Sequence, residues 1–131
     1  MESVAETRTV SKTMNIIGWV VSILPSLVLL MSGSMKFIKP EGIAEGMEHV
    51  GWSMGQANML GILEVGCTIL YLIPRTAVIG AVLLTAFMGG AVATHLRIGE
   101  APVMQVIIGM LFWLGIYLRE PRLWPLLPLR K

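Results

Sequence analysis

Few residues in this chain can carry proton or ligand chemistry, and the first is Glu64, set inside the apolar stretch GILEVGCTILYLIPR at 61–75. A charge at the centre of a membrane helix costs about 2.5–3.5 kcal/mol on insertion scales, so it needs a partner or a purpose. Intramembrane acids mark proton, ion or substrate pathways. They also fix helix register as one half of an ion pair. Both readings of Glu64 stay open from the sequence. Its direction is better defined. Ala57, Gly61, Glu64, Thr68 and Tyr71 recur at intervals of four, three, four and three, which is one face of a helix. That face is small or polar, while Ile62, Leu63, Val65, Ile69, Leu70 and Leu72 occupy the others. Glu64 is therefore expected to face inward, on a stripe with Thr68 and Tyr71, where small residues let neighbouring backbones approach.

Three further groups belong with it by position. Lys36 closes the first apolar run, and His95 and Arg97 close the third. With alternating helix directions, these ends share one side of the membrane with the upper half of the Glu64 helix. The expected site is a hydrogen-bonding or proton-relay cluster of Glu64, His95, Lys36 and Arg97, with Tyr71 and Thr68 below. Each member has a plainer reading. Lys36 can snorkel to the surface, His95 can bond a carbonyl at the interface, and Arg97 can anchor a helix end. The single cysteine, Cys67, can form neither an internal disulfide nor a CxxC pair and reads as a small apolar filler. His49 and His95 are the only histidines, and no His/Cys cluster has zinc spacing, so no metal site and no haem pair is expected.

The elements that must position these groups are apolar runs. Hydrophobic residues make up 55% of the 131 and charged residues 14%. A soluble domain carries about 25% charged residues, so the class is an integral membrane protein. The spacing predicts spans over 14–37, 57–73, 76–96 and 102–118, each long enough to approach a hydrocarbon core of about 30 Å. Pro25 removes the helical partner of the Val21 carbonyl and favours a bend. The first apolar run is longer than a cleaved signal normally carries. Between the first two spans, Ile43, Met47, Val50 and Met54 form an apolar stripe among Glu41, Glu45 and Glu48. This predicts a short interfacial helix over the outer mouth of the bundle, against the alternative of a glycine-broken loop. The expected fold is all-α: a four-transmembrane-helix bundle with that helix or loop between helices 1 and 2. The single membrane domain covers 14–118, between segments 1–13 and 119–131. Seven Lys or Arg (at 8, 12, 75, 119, 122, 130 and 131) fall on the side of the termini, against three (36, 39 and 97) opposite. The positive-inside rule then places both termini in the cytoplasm. A formal net charge of +2 spread between apolar runs gives no nucleic-acid patch.

The stretches LLMSGSMKF, GILEVGCTILYLIPRTAVIGAVLLTAFMGGAVATHLRIGE and LREPR, in this order and spacing, resemble the DoxX-like family of small four-helix membrane proteins. The matching residues are Gly33, Lys36 and Phe37 at the end of helix 1, Glu64 in helix 2, the Pro74–Arg75 turn, and Ala91, His95 and Gly99 around the end of helix 3. The resemblance covers about 16–122. It implies a four-span bundle in a bacterial-type inner membrane. The family is named for a subunit associated with quinol oxidase and thiosulfate-to-quinone electron transfer, and relatives serve in membrane redox complexes or in protein maturation. The missing cysteine pair argues against the thiol-relay relatives.

Three functions follow from these observations. The first is an accessory subunit of a membrane redox system, with redox partner proteins, that binds a quinone or similar apolar carrier beside the Glu/His/Lys cluster. The second is a non-enzymatic assembly or lipid-binding protein in which Lys36 and Glu64 are a structural pair. The third is a small proton-linked transporter, which four spans would support only as an oligomer. Small-residue faces on the third span (Ala86, Gly89, Gly90, Ala93, Thr94) suit a homo-oligomer or simple close packing. With no intrinsic cofactor motif and no paired thiol, a complete enzyme in this chain alone is not expected.

Overall fold

The computed structural model describes residues 10–127, which are helical with no strand. Helix α1 runs Lys12–Ile38, α2 Ile43–His49, α3 Met54–Leu72, α4 Ala77–Arg97 and α5 Val103–Arg119, with 3₁₀ turns at Pro74–Thr76 and Pro121–Leu123. Arg8, Arg130 and Lys131, part of the expected charge bias, lie outside the described residues.

Local chemistry sets the ends, and a helix lies over each of the four predicted ranges, with its ends moved by a turn or less. The Ser11 hydroxyl accepts from the Met14 N–H at 3.1 Å and starts α1 two residues early. Lys39 in the left-handed region (φ 54°) stops it, donating its N–H to the Met35 carbonyl. A capping box between Ser53 and Gln56 starts α3 at Met54, three residues before the apolar run. The short helix predicted between the first two long ones is present but shorter than its stripe. It ends at His49, because Gly51 (φ 85°) turns the chain. Val50 is therefore its cap, and Met54 opens the next helix. Helix α1 continues through Pro25, which is buried within it.

The four long helices form a ring in which α1 packs on α3 and α5, and α4 packs on α3 and α5. Glycines set the closest approaches. A Cβ at Gly80 would strike the backbone of Tyr71, 2.5 Å from its Cα. One at Gly18 would meet the Gly115 carbonyl at 3.1 Å. One at Gly61 would meet the Gly33 carbonyl at 3.0 Å.

The distribution of polarity is inverted relative to a soluble bundle. Ser22, Ser26, Glu64 and Thr68 are buried, while Leu24, Leu27, Met31, Ile62, Ile79 and Met110 are more than half exposed. In water such a surface would aggregate; in lipid it is the solvent-matched side. Two helices, Lys12–Ile38 and Pro74–Arg97, are long and apolar enough to cross a membrane. Helix α3 carries Gln56, Asn58 and Glu64. The 17 residues of α5 rise about 26 Å.

Candidate functional site

The buried residues of α3 are Ala57, Gly61, Glu64, Thr68 and Tyr71, the stripe that the spacing predicts. Glu64 meets Lys36 across the α1–α3 contact, with Nζ 2.6 Å from Oε2. The two side chains are 3% and 15% exposed, so this is a buried pair rather than a surface one. Gly33 brings the helices close enough for it, since a Cβ there would meet Val65 at 2.6 Å and Glu64 at 3.5 Å. Lys36 also donates to the Ser32 hydroxyl at 3.1 Å. Its third N–H finds only the Ser32 carbonyl at 3.5 Å, the edge of hydrogen bonding, and is the donor that a bound acceptor would engage. The ammonium and carboxylate cancel, so the site presents donors without net charge.

His95 is held from two sides. Its Nδ1 lies 2.8 Å from the Ala91 carbonyl, which can only accept, so Nδ1 carries the proton. In the neutral ring Nε2 then offers a lone pair, faced by the Gln105 amide nitrogen at 3.3 Å. Thr68 donates its hydroxyl to the Glu64 carbonyl at 2.7 Å and is fully buried, a helix-internal bond rather than a contact to a ligand.

Between these groups lies a cavity of about 480 Å³, within the range of small-molecule sites. Lys36 and Ser32 of α1, Glu64 of α3, His95 of α4 and Gln105 of α5 supply its polar atoms. Leu29, Leu60, Phe87, Met88 and Ile108 supply apolar wall, and Met47, Val50 and Trp52 close it from the side of α2.

Two sequence candidates stand elsewhere. Arg97 turns away from Glu64 and donates to the Val50 carbonyl at 2.6 Å, tying down the end of α2. Its length lets it reach across, and Gly51 leaves it room, as a Cβ there would sit 3.2 Å from the guanidinium carbon. Tyr71 lies two helical turns from Glu64, about 10 Å along the axis, toward the end where α1 begins and α5 ends. There its hydroxyl donates to the Phe112 carbonyl at 2.6 Å and stands 3.0 Å from the Ser22 hydroxyl. Arg119 completes this second cluster. It donates to Ser22 at 3.0 Å and to the Tyr71 carbonyl at 3.3 Å, and lies 4.1 Å over the Trp19 ring. His49, open from sequence, pairs with Glu100 of the α4–α5 connection.

Gln105, Ser32, Ser22 and Arg119 escape the sequence reading. Gln105 had a signal: it is the one amide in the apolar run 102–118, as Glu64 is the one acid in 57–73. Among the described residues no group of three His, Cys, Asp or Glu could hold a metal ion.

The sequence model of the DoxX-like family matches residues 20–116, which takes in α2, α3 and α4 whole, most of α1 and α5, and every polar residue named at the cavity. No curated protein and no solved structure matches the chain.

Proposed function

The chain belongs to the DoxX-like family of membrane proteins, and from that membership we propose that it is an accessory subunit of a membrane redox system, holding a quinone or similar apolar carrier beside Glu64, Lys36 and His95. The proposal includes four spans, α1, α3, α4 and α5, in a bacterial-type inner membrane, with both termini cytoplasmic. Helix α3 spans in spite of Glu64 because the charge is paired and turned inward. The short α5 spans with help from Arg119, Trp113 and Tyr117 near its end, residues that suit the interface.

The observation that carries the reading is the cavity: apolar walls with a small set of convergent polar groups and no net charge, which suits an uncharged ligand bearing carbonyl oxygens. Lys36 would donate to one such oxygen while Glu64 holds it in place. His95, with Nε2 as acceptor, and Gln105, with amide N–H groups to give, would serve a hydroxyl or carbonyl on the other wall. When bound, a quinone supplies the electron chemistry that no side chain here can supply. The protein's part is to bind, orient and exclude water.

The test is mass spectrometry of small molecules and partner proteins in material purified gently from its native membrane, wild type beside Glu64→Gln. A carrier enriched in wild type and reduced at least tenfold in the variant is expected. Neither sample carrying a specific small molecule would end the redox-carrier reading. The ion pair, closed within the protein at 2.6 Å, would then support the second reading, a structural pair in an assembly protein.

A further inference from the structure

Helix α2 differs from the other helices. It is seven residues long, and its packing against the long helices is chiefly on α3. Yet it covers the cavity. Met47 is 5% exposed, and Val50 and Trp52 form part of the cavity wall. The segment is bracketed by backbone in the left-handed region, at Lys39 (φ 54°) and Gly42 (φ 93°) before it and at Gly51 (φ 85°) after it. Beyond its seat on α3, two contacts fasten it, both from the far end of α4 and its following loop. Arg97 donates to the Val50 carbonyl at 2.6 Å, and Glu100 pairs with His49. Arg97 is exposed and Glu100 partly so, and they bind Val50 and His49, whereas Met47 of the same segment is buried.

We propose that α2 is a hinged lid over the Glu64 cavity, latched shut by Arg97 and Glu100. The lid rests for its purpose on the carrier reading, because a closed end keeps water from the Lys36–Glu64 pair and must open for a ligand to exchange at this end. Its motion does not depend on that reading. Short segments with few buried contacts and exposed fastenings are the ones that open locally while the rest of a fold stays closed. The Gly51 position belongs to the device: only glycine combines the positive φ with room for the Arg97 guanidinium.

The experiment places a reporter thiol under the lid, Met47→Cys in a Cys67→Ser background, and measures its labelling rate with a maleimide in the detergent-solubilised full chain. Three forms are compared: latch intact, Arg97→Gln and Glu100→Gln. A second reporter, Leu84→Cys in the core, detects general loosening. The lid predicts labelling at Met47→Cys about tenfold faster in Arg97→Gln and several-fold faster in Glu100→Gln, with Leu84→Cys unchanged. Should Arg97→Gln fail to fold, Glu100→Gln, an exposed site, carries the same test. Equal rates in all forms, or a parallel rise at Leu84→Cys, overturn the lid. Binding of a short-chain benzoquinone is measured alongside. Latch variants should raise its association and dissociation rates together and leave Kd unchanged, whereas Glu64→Gln should raise Kd. Faster labelling with no benzoquinone bound by any form supports the lid and removes the carrier reading.

Discussion

Replacing the Lys36–Glu64 pair one residue at a time and then together separates the electrostatics of the site from its use. In Lys36→Met, Glu64 loses its one side-chain partner while 3% exposed. Stranding one member of a buried pair costs about 3–5 kcal/mol. Glu64→Leu is milder. Lys36 keeps the Ser32 hydroxyl, and its four-carbon stem lets the ammonium move toward the interface. Losing one charged hydrogen bond sets that cost near 2 kcal/mol. In the double variant no charge remains, two apolar side chains of similar volume fill the space, and stability returns to within about 1 kcal/mol of wild type. The expected order is thus wild type and double variant together, then Glu64→Leu, then Lys36→Met. For a chain of this size 1 kcal/mol moves the midpoint by roughly 3–5 °C, so Lys36→Met should unfold about 10–20 °C early. Thermal unfolding in one detergent, followed by tryptophan emission, reads the series. A double variant as unstable as Lys36→Met would refute the argument, because the penalty would then not arise from a stranded charge. The recovered double variant also isolates function. It should fold normally and carry no quinone, whereas retention of carrier would place the ligand away from the pair.

The other centre gives a second prediction. Arg119→Lys keeps the charge but loses the planar group that spans Ser22, the Tyr71 carbonyl and the Trp19 ring; a loss of about 1–3 kcal/mol is expected, with altered Trp19 emission and no change in carrier content. A third concerns acid pH at the 3₁₀ turn after α5. The hydrogen bond from the Arg122 side chain, opposed by partial burial, holds the Glu120 carboxyl below its ordinary value of 4.5. A depressed folded value means that the contribution is complete above that ordinary value and lost as pH falls through the lower folded one. Trp124 donates to the Tyr117 carbonyl in the same turn, so its emission should change in that acid window, and Glu120→Gln should abolish the change.

How much of this was legible in the sequence depends on what each residue had to contrast with. Glu64 stands out because its neighbours are apolar, and its stripe is readable because helical spacing fixes which residues share a face. Lys36 was placed by counting helix ends, since alternating directions bring the end of α1 and the first half of α3 to one level. Arg97 shared that level and still went elsewhere. A long side chain at a helix end has a wide reach, and the Val50 carbonyl became available only through the positive φ of Gly51, a tertiary detail absent from the spacing. Tyr71 shared the stripe but not the level. Periodicity gives the face of a helix and is silent about which polar group lies opposite along its length. Arg119 sat among the basic residues after the last apolar run and counted only toward the charge bias, because nothing in the sequence says that Trp19 and Ser22 lie across from it.

The two polar centres differ for a physical reason that also explains where the cavity is. At the end where α1 begins and α5 ends, glycine meets backbone: Gly18 faces the Gly115 carbonyl, and Gly80 faces Tyr71. Helices that approach this closely leave room only for the Ser22 and Tyr71 hydroxyls, each already engaged. At the other end Gly90 and Ala91 on the α4 wall leave space between the helices, and a Cβ at Gly90 would meet nothing within 4 Å. A soluble core would lose stability from such a gap and fill it. Here the gap is bordered by a buried ion pair, an imidazole and an amide, and is covered by α2 rather than by a fifth long helix. Close packing at one end keeps four helices in register while the other end stays open between them. That division lets a small bundle hold a ligand-sized space without a larger core to support it.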